Sequence, residues 1–184
     1  MAAKSNLRNM ALSLTLVCLV CSALLGSVYA VTAEPIRKAE EAKVAASIAR
    51  VLPASDAQPV LETIAVDGID YSYYRLPGAG YAVISTVGGF GGPLSLMVGI
   101  GEDGVVVNTV VLAHSETPGL GAKCTTDLPF IDQFKGWDPA AKRLAVRKDG
   151  GDVDAITAST ITSRAYAKAI ANAVAVYSKI TENE

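Results

Sequence analysis

Leu94-Ser95-Leu96-Met97-Val98-Gly99-Ile100 and Val105-Val106-Val107-Asn108-Thr109-Val110-Val111-Leu112 flank Glu102-Asp103-Gly104. Two runs rich in β-branched residues around an Asp-Gly turn read as a β-hairpin. Upstream, Val60 to Val66, Tyr71 to Leu76 and Tyr81 to Val87 have the same character, broken at Asp67-Gly68 and Pro77-Gly78. Downstream, Pro118 to Gly151 reads as loops with short helical pieces, in which Phe130, Phe134 and Trp137 are packing residues. A last helix starts near Ser159. There Ile161, Ala165, Ala169, Ala173, Val176 and Ile180 recur at helical spacing and define one apolar face. Short strands followed by a helix give an α+β fold, an antiparallel sheet with helices against it.

The other end of the chain is apolar. No charge occurs from Asn9 to Ala33. Met10 to Val31 would make about 33 Å of helix, enough for a hydrocarbon core of about 30 Å. Lys4 and Arg8 precede it, so residues 1 to 8 are expected inside the cell and the rest outside. A cleaved signal peptide is the other reading, because Val28-Tyr29-Ala30 has small residues where a signal peptidase cuts. Glu34-Pro35 is expected to open a second, juxtamembrane helix ending near Leu52, with Pro53 stopping it. The expected organisation is an anchor over 1–33, a juxtamembrane helix and linker over 34–58, and an extracytoplasmic domain over 59–184.

Composition narrows the function. The 184 residues carry a net charge of −2, so no basic surface invites nucleic acid. Cys18 and Cys21 lie in the apolar segment, where thiols are usually small apolar residues. Cys124 is the one cysteine of the outer domain, so that domain has no internal disulfide. No histidine or thiol cluster offers a metal site there.

Two segments carry the chemistry. His114-Ser115-Glu116-Thr117-Pro118-Gly119-Leu120-Gly121-Ala122-Lys123 sets polar groups on a tight backbone. Asp154-Ala155-Ile156-Thr157-Ala158-Ser159-Thr160-Ile161-Thr162-Ser163-Arg164 packs hydroxyls onto a helix start, a place suited to phosphate. The plainer reading of those hydroxyls is N-capping by Thr157 or Ser159. Gly88-Gly89-Phe90-Gly91-Gly92-Pro93 is either a loop that approaches a flat ligand or a flexible turn.

Taken in order, the glycine loop, Met97-Val98-Gly99-Ile100, the His114–Gly121 loop and the hydroxyl cluster resemble the FMN-binding domain of the G subunit of the Rnf electron transport complex. The C subunit of the sodium-translocating NADH:quinone reductase is its homologue. The resemblance covers most of the chain and includes Phe130-Ile131-Asp132-Gln133-Phe134-Lys135-Gly136 and the single N-terminal anchor. It implies FMN attached covalently, through a phosphoester, to the last threonine of an Asp-x-x-Ser/Thr-Gly-Ala-Thr motif. That residue is Thr160 here, with Thr162 the fallback and Ser159 a poorer alternative. Ala158 and Ser159 depart from the motif's glycine and alanine. The resemblance further implies that Glu116, Thr117, Gly119 and Leu120 contact the flavin and that Lys123 offers positive charge to its reduced form. Thr157, Ser159, Ile161, Thr162, Gly91 and Gly92 complete the expected cofactor site. His114 is read as a flavin contact or as a structural hydrogen-bonding residue, and Arg164 as a phosphate helper or a solvated charge.

The function so implied is that of a membrane-anchored electron carrier in an ion-translocating ferredoxin:NAD oxidoreductase, with no substrate turnover of its own. Its expected partners are the other Rnf subunits, especially the other FMN-carrying membrane subunit, along with a flavin transferase during maturation and membrane lipid. The chain's length and the Ile156–Ala165 pattern favour Rnf over the quinone reductase branch. The rivals are a stand-alone FMN carrier or sensor and an anchored interaction domain without flavin.

Overall fold

The computed structural model describes residues 7–55 and 57–183. Lys4, one of the two charges used to orient the anchor, lies outside them. Helix α1 runs Leu7–Val51, a single helix of 45 residues. The expected break at Pro35 is absent, because Pro35 sits inside the helix. Proline removes one i→i−4 hydrogen bond. The ion pair Lys38–Glu34, at 3.3 Å, spans it along the helix, and Arg37–Glu41, at 3.0 Å, follows it. Ser13, Thr15, Ser27 and Thr32 each donate a side-chain hydrogen bond back to a carbonyl one turn earlier. That leaves no hydroxyl of the four without an acceptor in an apolar solvent. The apolar part has an 18-residue window of mean hydropathy 2.2 and is long enough to span a membrane.

Contacts divide the chain between Val44 and Ala45. In the second unit, strands β1 (Val60–Val66), β2 (Ile69–Leu76), β3 (Gly80–Gly88), β4 (Pro93–Ile100) and β5 (Val106–His114) form an antiparallel sheet in the order β1-β2-β3-β4-β5. All five expected strands are present, with ends shifted by no more than about two residues. The turns set the register. Asp67 and Gly68, both at positive φ, close β1 on β2 with Val66 opposite Ile69. The β4–β5 pairing shifts register between Ser95 and Leu96 and again between Gly99 and Ile100. Such bulges bend a strand and redirect its end, and β5 ends at His114, where the polar loop begins.

Helix α3 (Thr160–Asn183) packs on β3, β4 and β1. Ala165, Ala169, Ala173, Val176 and Ile180 of its expected apolar face are buried, but Ile161 is 49% exposed. Leu94, Leu96, Val98 and Ile100 of β4 join α3 in one core. The opposite face is covered as well, because Gly99 abuts the backbone of Val51 in the last turn of α1. A strand buried on both faces explains why Leu94–Ile100 is apolar without alternation. Between β5 and α3 lie a 3₁₀ turn (Gly121–Thr125), the short helix α2 (Leu128–Asp132) and a second 3₁₀ turn (Arg147–Asp149). Phe130, Phe134 and Trp137 are buried as expected, and the first two pack around Tyr166 with ring centroids 5.0 and 5.1 Å away. The Gln133 amide clamps the backbone of Asp154 from both sides, donating to its carbonyl at 3.0 Å and accepting from its N–H at 2.8 Å. This fixes the approach to α3.

Candidate functional site

The two polar segments meet at the start of α3. Ala158 takes φ 62°, a left-handed conformation that turns the chain into the helix. That is a glycine-like backbone carried by an alanine, at a cost of about 1–2 kcal/mol. The residue at the motif's glycine position thus takes a backbone conformation that glycine favours. The first backbone bond of the helix is Ser163 N–H to Ser159 C=O, at 3.0 Å. The N–H groups of Thr160, Ile161 and Thr162 precede it and have no intrahelical acceptor. Ser163 also closes the entry with its side chain: its Oγ accepts from Ile156 N–H at 2.9 Å and donates to the Ser159 carbonyl at 3.0 Å. Ser159, in the plainer reading an N-cap and otherwise expected in the cofactor site, makes no capping bond. Its Oγ is buried and has no hydrogen-bond partner.

Glu116 holds the site together. It is 5% exposed. Its Oε1 accepts from the Phe90 N–H at 2.8 Å and its Oε2 from the Thr162 hydroxyl at 2.8 Å. The Glu116 N–H donates to His114 Nδ1 at 3.2 Å. One carboxylate therefore ties together the glycine loop, the end of β5 and the first turn of α3. Two glycines make room for it. A Cβ on Gly89 would sit 2.0 Å from Oε1, and one on Gly121 would sit 2.5 Å from Oε2 and 2.6 Å from Thr162 Oγ1. The glycine run approaches the protein's own carboxylate and the Ser115 backbone.

Phe90, Glu116, Thr117, Leu120, Gly121 and residues 158–162 enclose an open cavity of about 340 Å³, within the usual range for ligand sites. Of the expected site residues, Thr160, Glu116, Thr117, Leu120, Ser159, Ile161 and Thr162 line it. Gly119, Lys123, Thr157, Gly91 and Gly92 do not. Lys123 is exposed on the 3₁₀ turn, and Gly91 abuts Ser115. Phe90, Gly121 and Ala158, which belong to the same sequence motifs but not to the expected contacts, also line it. The signal for Phe90 was a large apolar residue isolated among glycines. Thr162, the fallback attachment residue, is 2% exposed, and its hydroxyl is bonded to Glu116. Thr160 is half-buried at the cavity wall. Arg164 points elsewhere: it grips Asp149 with bonds of 2.6 and 2.7 Å. That pairing holds the Asp149 carboxyl below its ordinary range.

The arrangement fits a phosphorylated flavin. Phe90, Leu120 and Ile161 are 66, 45 and 49% exposed and give the cavity apolar edges for a flat ring. The unpaired N–H groups and positive dipole end of α3 suit its phosphate. Cys124 is fully buried and its thiol is pushed up to about 11, first by burial and then by Glu116, so it is not a nucleophile. Among the described residues, no group of His, Cys, Asp and Glu is placed to hold a metal.

Residues 89–175 match the FMN-binding domain family, so fold and site define an FMN-binding-domain protein carrying an N-terminal apolar helix. Residues 1–51 match the RnfG N-terminal region. The G subunit of an ion-translocating oxidoreductase complex from Shewanella baltica is 34% identical, over 88% of this chain and 84% of that one. The G subunit of a proton-translocating ferredoxin:NAD(+) oxidoreductase complex from Clostridium ljungdahlii is 33% identical, over 88% and 86%. The chain belongs to this family of G subunits. The fold is also that of a crystal structure of the C subunit of the Na(+)-translocating NADH-quinone reductase from Parabacteroides distasonis. That structure has TM-score 0.51 and 20% identity, over 75% of this chain and 82% of that one.

Proposed function

We propose that this chain is the covalent-FMN electron carrier of an Rnf-type ion-translocating ferredoxin:NAD oxidoreductase complex, held to the membrane by α1. The single observation that carries the reading is the cavity at the start of α3, with Thr160 on its wall and Thr162 withdrawn to Glu116. Thr160 is the attachment residue. The N–H groups that open α3 would hold the FMN phosphate. Phe90, Leu120 and Ile161 flank the ring, and Thr117 offers a hydroxyl to its polar edge. Bound there, FMN supplies one- and two-electron transfer. The protein's share is orientation, exclusion of water from one side of the ring, and a tether that prevents loss of cofactor outside the cytoplasm. Glu116 would act through other residues, by holding the Phe90 loop and the first turn of α3 in place.

Residues 1–33 serve as the anchor with the N-terminus inside, 34–58 as the juxtamembrane helix and linker, and 59–184 as the extracytoplasmic FMN domain. The partners are the other Rnf subunits, foremost the other FMN-carrying membrane subunit, and a flavin transferase that loads the cofactor. The chain turns over no substrate alone. The test is ultraviolet fluorescence of the full chain on a denaturing gel after production with a flavin transferase. The wild type keeps its flavin and Thr160→Ala loses it. Flavin that leaves the wild type on boiling in detergent, or that maps to Thr162, overturns the assignment.

A further inference from the structure

Ser159 holds a place where a serine normally caps its helix by accepting a hydrogen bond from an N–H two or three residues on. It makes no such bond. It is 7% exposed, its Oγ has no hydrogen-bond partner, and the residue lines the cavity at the start of α3. Burying a hydroxyl without a partner costs about as much as a lost hydrogen bond. Closing the helix entry does not require it, since Ser163 does that with two bonds of its own. Among the described residues, the other buried hydroxyl without a partner, Ser85, lies in β3 and lines no part of this cavity. Ser159 thus stands next to Thr160 as a donor with nothing to donate to, beside the N–H groups of Thr160, Ile161 and Thr162.

We propose that the Ser159 hydroxyl, whose oxygen is enclosed in the flavin-free chain, turns about its Cα–Cβ bond to donate a hydrogen bond to a phosphate oxygen of the cofactor, and so is a positioning residue for the phosphoester on Thr160. The three N–H groups and this hydroxyl form a cradle for a tetrahedral oxyanion. Serine stands where the resembling motif has alanine, so the donor is a particular of this chain and is not required for attachment. This inference rests on the reading of Thr160 as the attachment residue.

The experiment compares thermal unfolding of wild type and Ser159→Ala, as full chains in detergent, each produced with and without a flavin transferase. In the flavin-free form, Ser159→Ala removes a buried hydroxyl that lacks a partner, and Tm rises by about 2–6 °C. In the loaded form the same change removes a donor from the phosphate, and the rise disappears or reverses. The phosphorus resonance of the loaded protein also moves. A change that is the same in both forms, including none in either, overturns the proposal. Peptide mapping of the loaded wild type separates the two readings. Flavin on Thr160 with equal Tm changes defeats the Ser159 role alone, whereas flavin on Ser159 or Thr162, or none, defeats the attachment reading itself.

Discussion

Thr160 and Thr162 are two residues apart, yet their surroundings differ completely. Thr162 gives its hydroxyl to Glu116, and Thr160 stands at the cavity wall. Glu116→Ala should leave the Phe90 N–H and the Thr162 hydroxyl unpaired, lowering stability by about 3 kcal/mol. Glu116→Gln keeps an acceptor for one of them and should cost about half as much. Denaturant unfolding of the flavin-free chain checks both, and equal costs would show that the carboxylate does not join the two segments. Ala158 gives a change of opposite sign. Ala158→Gly relieves a left-handed alanine and should raise stability by about 1 kcal/mol without loss of flavin, read from Tm and gel fluorescence. Two buried groups set the alkaline limit. Burial pushes Tyr166 up to about 12, partly offset by its 2.7 Å bond with Thr109, and Cys124 up to about 11. Both ionise more readily unfolded than folded. Their contribution is therefore intact below the unfolded values of 9.0 and 10.0 and is lost as pH rises toward 11 and 12. Stability should hold to about pH 9 and then fall. Tyr166→Phe should flatten the upper part of that fall, measured by denaturant unfolding at successive pH values.

At the scale of elements, α1 and β4 meet where Gly99 lets the helix end approach the sheet. A Cβ there would lie 2.0 Å from the Val51 carbonyl oxygen. Both partners are backbone, so no rotamer relieves the clash. Gly99→Ala should destabilise the second unit by about 3 kcal/mol, within the range for overpacking a core. A Tm within 2 °C of wild type would show that the α1 end is not seated on β4. The adjoining carbonyl of Arg50 accepts from Asn108 Nδ2 at 2.8 Å, a second tie between the end of α1 and the sheet. The helix ends at Val51, close to the expected stop at Pro53, while the expected new start at Glu34-Pro35 is absent because Pro35 lies inside one continuous helix.

For the whole molecule, the anchoring helix and the sheet domain make one topological prediction. With Arg8 before the apolar run, and Lys4 beyond the described residues, the N-terminus should stay inside and the sheet domain outside. Protease added to spheroplasts should digest the domain. Protection there, with digestion only in inside-out vesicles, would reverse the orientation. A mature N-terminus at Val31 would show a cleaved signal.

The sequence by itself determined the five strands, the last helix and the membrane-length helix. Turn residues, β-branching and helical spacing act locally, and Asp67-Gly68 or Leu94–Ile100 state their conformation within a few residues. It also brought Thr160 and the His114–Gly121 loop into view as motifs. Only the tertiary structure decided what each side chain does. Lys123, Gly91 and Gly92 do not line the cavity, Arg164 turns to Asp149, and Glu116 is bonded to Phe90 and Thr162. Glu116 and Thr162 are 46 positions apart, and no local pattern encodes a bond across that distance. It exists because the bulged end of β5 and the first turn of α3 are packed against the same core, and a buried carboxylate must find donors among whatever that packing brings near it.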